Sequence, residues 1–196
     1  MTSTAQAGNA LAAVIAPLVK SDGINSTSLP GVSLLCLSRH QIRTPLIYEP
    51  SLTIIAQGRK MGYLGDREIY YDPGHYLVQT LPLPFECETY GSPEAPLLGI
   101  SVRLDPALLS EMVTAMGDIG HNALAPLPMA SVAMTEGMQD AVWRLARTLN
   151  VAVECSAMGN ARIRDVVFEA LKGEQGPALR ALVLGHGNYS RIVQVL

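Results

Sequence analysis

Several kinds of chemistry are absent from this 196-residue chain. It has no G-x-S-x-G elbow to expose a nucleophilic serine, and its Ser, His and Asp residues are too scattered to imply a triad. Gly62-Tyr63-Leu64-Gly65 lacks the glycine spacing and the terminal Lys-Ser/Thr of a phosphate loop, so these glycines read as turn formers. No catalytic residue is assigned. Cys36, Cys87 and Cys155 are far apart, odd in number and form no CxxC pair, which points to reduced thiols in a reducing, cytoplasmic compartment. Lys and Arg total 14 against 17 Asp and Glu, a net charge of -3, which argues against a broad nucleic-acid surface because such a surface must offset many phosphates. Any DNA contact is therefore expected outside this chain. The apolar stretch NALAAVIAPLVK lacks the basic start of a signal peptide and is too short to span a bilayer, so no membrane partner is expected. It reads as an amphipathic helix from Ala10 to Val19. Aromatic residues are only 5% of the chain, but 48% of it is hydrophobic, so Leu, Ile, Val, Ala and Met must fill a substantial core.

What is present is a tract from Pro45 to Val102 in which short apolar runs alternate with Gly, Pro and Asp turns, the pattern of a compact antiparallel sheet or barrel. A loop is expected from Asp22 to Gly31, a strand from Val32 to Ser38, and a bend from His40 to Pro45. LTIIAQ should reverse through GRK into KMGYL. EIYY and HYLVQT should form the next pair about Asp72-Pro73-Gly74, where Pro fixes one backbone angle and Gly accepts a positive one. ECETY and LLGISVRL supply the last strands, and the sheet is expected to end near Arg103.

The pattern changes at Asp105-Pro106, a cap followed by a residue suited to the first helical position. Leu108, Met112 and Met116 recur with a spacing of four, and Leu109 and Val113 widen the stripe. A Gly-, Asn- and Pro-rich loop spans Gly117 to Pro128. A helix from about Glu136 to Leu149 and another carrying Ile163, Val166, Val167, Ala170 and Leu171, stopped by Gly173, complete a helical layer. A last helix, RIVQVL, stops in mid-pattern, and a continuation past Leu196 is expected. The reading is thus α+β: an N-terminal helix and loop (1–31), a barrel core (32–104) and a helical region (105–196).

YEPSLTIIAQGRK, then YLGDREIYYDPGHYLVQTLPLPFECET, then RIRDVVFEALKGEQGPALRAL before SRIVQVL, together resemble the N-terminal region of AraC-type transcriptional regulators from about Leu34 onward. The resemblance implies a cupin-like antiparallel β-barrel that senses a small-molecule effector or mediates homodimerisation, with a helical dimerisation layer leading to a C-terminal DNA-binding domain. On this resemblance the DNA-binding domain is expected past Leu196, and DNA is expected to be contacted only through it. The family commonly has an acidic residue where this chain has His75. A catalytic cupin carries an HxH pair, but His75-Tyr76-Leu77 lacks the second His, and the others stand at 40, 121 and 186. No metal or other cofactor is expected.

Candidate ligand residues follow from strand parity. Glu86 and Glu88 share one face, so Cys87 faces the barrel interior, where it either packs as a small hydrophobe, lines a cavity or responds to oxidants; no basic sequence neighbour activates its thiol. Tyr48, Gln57, His75, Tyr76 and Tyr90 are polar groups on strands or their ends that could orient a guest, against the plainer reading of hydrogen-bonded strand or rim residues. Arg59-Lys60 reads as a pair of solvated turn charges, and Arg162 and Arg164 as helix-face charges. Leu109, Val113, Val142 and Leu149 either form a dimer interface or bury the contact between barrel and helices. The alternatives to a sensor are a pure dimerisation module without ligand and a metal-dependent cupin enzyme. The effector, the target promoter and the sign of regulation are not legible in these residues.

Overall fold

Where the side-chain period is two, the computed structural model has ten strands; it describes residues 4–117 and 127–184. These strands are β1 (Gly23–Ser26), β2 (Val32–Leu37), β3 (Gln41–Ile47), β4 (Ser51–Gln57), β5 (Arg59–Leu64), β6 (Arg67–Tyr71), β7 (His75–Gln79), β8 (Pro84–Tyr90), β9 (Leu97–Arg103) and β10 (Met129–Ala133). The helices are α1 (Thr4–Ile15), which runs into a 3-10 turn at Ala16–Leu18, α2 (Pro106–Met116), α3 (Glu136–Thr148), α4 (Ala152–Lys172) and α5 (Gly176–Leu184). The fold is α+β with antiparallel sheets and, apart from α1, helices that follow the strands. A six-stranded sheet has the order β1-β2-β9-β4-β7-β10, and a four-stranded sheet the order β3-β8-β5-β6.

The expected barrel is not closed: no strand pairing among the described residues joins the two sheets. The turns explain this. The Asp72-Pro73-Gly74 corner is closed by a hydrogen bond from His75 N to Asp72 O (2.9 Å), with Pro73 second, Gly74 third and φ +100° at the glycine. That is the sequence pattern of a type II turn, which splays its flanking strands where a primed turn would pair them. So β6 and β7 are not the expected hairpin; β6 pairs with β5, and β7 with β4 and β10. Gly58 makes a second corner, taking the chain from β4 in the large sheet to β5 in the small one, at φ +77°. The hairpin that does form is β5–β6, where Leu64 pairs with Arg67 across Gly65-Asp66.

Three further expectations are corrected. The bend at His40–Pro45 is largely β3, which tolerates Pro45 because it is the edge strand of its sheet. The loop after Asp22 contains β1. The large sheet does not end at Arg103, since β10 adds to the far side of β7. Beyond Gly173, which caps α4, the chain turns into α5. The expected RIVQVL helix lies outside the described residues.

The large sheet has helices on one face and the small sheet on the other. Asp105 starts α2 as read, its carboxylate accepting from the backbone N–H groups of Ala107 (2.7 Å) and Leu108 (3.2 Å). One apolar cluster joins Leu34, Leu52, Ile54, Val78, Ile100 and Val102 to Ile15, Leu109, Val142, Leu145 and Val166. A second, between the sheets, holds Ile55, Ile69, Tyr71, Leu77, Phe85, Cys87, Leu97 and Met129. LTIIAQ reads as an unbroken apolar run because β4 is buried on both faces.

Candidate functional site

Strand register writes the chemistry of the space between the sheets. On the large sheet, Ser33 pairs with Ser101, Ser101 with Thr53, Thr53 with Leu77, and Leu77 with Ser131, giving a row of hydroxyls across five strands on the inner face. The next inward row runs Arg103, Ser51, Gln79, Met129. Cross-strand neighbours of this kind have Cβ atoms about 5 Å apart, so one guest can touch several. These rows open into a pocket of about 380 Å³ lined by Ser33, Ser51, Thr53 and Ser101, with Leu35 and Tyr48 on its walls and Glu49 and Arg103 also in its lining.

The small sheet contributes a different set. Lys60 pairs with Thr89 on one side and Tyr71 on the other, and all three are buried. The Tyr71 hydroxyl lies 3.4 Å from Cys87 Sγ. The Tyr48 ring packs edge-on against Phe85 (centroids 5.0 Å), and the Lys60 ammonium lies 5.9 Å from its centroid. Burial raises the pKa of Tyr48 and Tyr71 above the phenol range, well above for Tyr71; for Tyr48 the nearby Lys60 cation works in the opposite direction. Both phenols are neutral donors at physiological pH.

Of the six ligand residues read from the sequence, Tyr48 and Cys87 meet here. The other four lie elsewhere. Tyr76 is on the opposite face of the large sheet, within the helix-facing cluster, where burial first and then Glu174 and Glu169 hold its phenol neutral. Gln57 Nε2 donates to Pro96 O (2.7 Å), bracing the corner after β4. His75 Nδ1 lies 2.8 Å from Asp72 Oδ1 across its turn. Tyr90 is on the outer face of the small sheet, stacked on His40 (4.9 Å) and below the Arg59 guanidinium (4.2 Å). Leu109, Val113 and Val142 are buried within the chain, and Leu149 packs against the same cluster, so in the single chain they cover the sheet–helix contact.

Lys60 is the largest correction. Read as a solvated turn charge, it is 5% exposed, because alternation from the exposed Arg59 turns it inward with Gly62. Parity in RKMGYL carried that signal, and the adjacent pair of cations concealed it. The hydroxyl row was missed because Ser33, Thr53 and Ser101 are 20 and 48 residues apart and only pairing joins them. Glu86 and Glu88 do share the outer face: Arg43 Nε donates to Glu86 Oε2 (2.6 Å) and His40 Nε2 lies 2.8 Å from Glu88 Oε1. All three cysteines are buried and free. Among the described residues no group of three His, Cys, Asp or Glu converges on a point where a metal could sit.

Comparison with protein families matches residues 28–178 to the AraC-type transcriptional regulator N-terminus. The chain belongs to that family. Comparison with curated proteins finds no match. Among solved structures, the AraC-type domain is similar to an apo ToxT variant from Vibrio cholerae, with 7% identity, a TM-score of 0.49, and coverage of 75% of this chain and 55% of that one. It thus spans about half the length of ToxT. It is also similar to the AraC-like transcriptional activator CuxR, with 13% identity, a TM-score of 0.46 and coverage of 95% of this chain and 78% of CuxR. YhaK from Escherichia coli is similar over 55% of this chain and 43% of its own, with 15% identity and a TM-score of 0.37. No helix among the described residues of the AraC-type domain is long and apolar enough to cross a membrane.

Proposed function

We propose that this AraC-type N-terminal domain senses a small molecule held between its two sheets and passes its occupancy to DNA-binding modules elsewhere in a cytoplasmic regulator. The observation that carries the reading is the hydroxyl-lined pocket of about 380 Å³ on the inner face of the large sheet, a mix of apolar wall and a few convergent polar groups suited to a metabolite-sized guest. β2, β4 and β9, which supply its floor, carry the helix-facing core on their other side, so a shift of these strands is felt by α1 and α3. Coupling requires that the guest bind one arrangement more tightly than another, since equal affinity shifts no population.

Native mass spectrometry of the purified chain, gentle and then denaturing, together with a melting screen against a metabolite library, tests this. An organic guest of defined mass, or one compound class that raises the melting temperature, supports sensing, and Thr53→Trp should abolish either by filling the pocket. An empty chain that no library compound stabilises removes the reading.

A second role, homodimerisation, is favoured by α4, whose outward side exposes Val153 (73%), Met158 (41%) and Phe168 (39%). The dimer surface is then this side of α4 and not the buried quartet of Leu109, Val113, Val142 and Leu149. Sedimentation of Phe168→Glu against the parent chain checks it: a dimer made monomeric supports the role, and a parent that is monomeric throughout the micromolar range ends it.

A further inference from the structure

We propose that Lys60, with Tyr48 and Tyr71 beside it, is the head-group end of the ligand site, and that the effector is a small organic acid whose carboxylate pairs with the Lys60 ammonium. This rests on the reading of the inter-sheet space as a sensing site and adds the chemical class of the guest.

A lysine 5% exposed has lost most of its water, and a cation in that position needs an opposite charge. Among the described residues no carboxylate forms an ion pair with it. Its strand neighbours offer only the hydroxyls of Thr89 and Tyr71, and the Tyr48 phenol, which Lys60 also reaches, is a further neutral group. The carboxylates of the same sheet are turned away: Glu68, Glu86 and Glu88 project to the outer face, where Tyr70, Arg43 and His40 hold them. Glu49, the one carboxylate in the pocket lining, is exposed and shares that lining with Arg103. The site therefore holds a positive charge and neutral phenol donors, the two things a carboxylate takes up.

A second observation concerns the same inner face. Gln79 is 1% exposed, its amide nitrogen donates to Tyr48 O and Leu81 O at 3.1 Å each, and its Oε1 is left buried without a partner. Ser131 Oγ, on the same inner face, is likewise unpartnered. Buried polar atoms are rarely orphaned unless something else satisfies them. Tyr48 ties these atoms to the pocket: it lines the cavity, its carbonyl anchors Gln79, and its ring approaches Lys60. A guest that fills the pocket and places its acid group at Lys60 would pass along Tyr48.

The test uses the 196-residue chain with hexanoate and benzoate against hexanamide and benzamide, read by calorimetric titration and melting, in parent and Lys60→Met chains. The acids should bind at least about tenfold more tightly than their amides, the range of one charge-assisted pair. Lys60→Met should lose this preference while melting, without compound, at or above the parent, because it replaces a buried ammonium that no carboxylate of the described residues neutralises with an apolar chain of similar length. Should Lys60→Met fail to fold, Lys60→Gln serves the same comparison. Acids and amides binding alike, or acid preference surviving in the variant, overturns the anchor; if that binding is still abolished by Thr53→Trp, sensing stands without it. Failure of all four compounds also overturns the anchor, whereas sensing falls only with the empty library screen.

Discussion

Two neighbouring rows of the six-stranded sheet, one residue apart, face opposite ways and differ completely. Val32, Val102, Leu52, Val78 and Ala130 are paired in sequence across five strands and are all apolar and buried against the helices. Ser33, Ser101, Thr53, Leu77 and Ser131, their immediate chain neighbours, form the row between the sheets, with four hydroxyls in five positions. The first row is built for burial, which stabilises by about 25 cal/mol per Å² removed from water. The second gives up part of that burial for groups that recognise polar partners. One sheet thus separates stability from recognition by the parity of its residues.

Leu52→Ala should break the helix-facing row most severely. Leu52 is 0% exposed, and deleting its side chain leaves a cavity that costs about 2 to 5 kcal/mol, read by chemical denaturation. Gly58→Ala tests the corner that separates the layers. A Cβ there would lie 2.7 Å from Tyr90 O, at φ +77°, so a loss of about 2 kcal/mol is expected, more than an exposed turn would show. Thr53→Val sits one residue from Leu52 on the other face. It keeps volume and removes a hydroxyl, so stability should stay within about 1 kcal/mol while any guest found by mass spectrometry binds more weakly. Equal losses for Leu52→Ala and Thr53→Val would mean that the inner face is ordinary core.

How far the sequence speaks for this arrangement depends on the range of the signal. Local signals carried the strands: β2, β4, β7 and β9 stand close to where their apolar runs place them, Asp105-Pro106 starts α2, and Gly173 ends α4. The inward Cys87 follows from alternation alone. The turn at Asp72–Gly74 was legible as a turn but not as a corner, because whether two strands pair depends on the twist a turn imposes and on competing partners. Here β5, β4 and β10 compete successfully. β10 is a five-residue strand, MASVA, with no long-range mark of its own until β7 offers an edge. The pocket was the least legible part, since a row of single hydroxyls has no sequence motif. Tyr76 and Tyr90, polar and near strand ends, looked equal to Tyr48, and only the sheet assignments separate their three environments.

The outer face of the small sheet gives the finest test, because its polar groups are laid out as regularly as those inside yet remain in water. Glu88 is held below the ordinary carboxylate range, first by the hydrogen bond from His40, then by Tyr90 and Tyr63. A carboxyl group whose folded value is depressed binds fewer protons than in the unfolded chain. Its contribution is therefore complete above the ordinary value of about 4.3 and is lost as the pH falls through the lower folded value. Glu88→Gln should flatten this part of the acid limb in urea midpoints measured at low salt from about pH 6 to pH 3, and added salt should bring the two chains together. The effect should be the smallest here, since an exposed pair is screened by solvent. Parallel curves for the two chains at low salt would show that the His40–Glu88 contact adds nothing to the folded state. A loss as large as that of Leu52→Ala would show that the small sheet depends on its outer face, and the division of labour drawn from the large sheet would not extend to it.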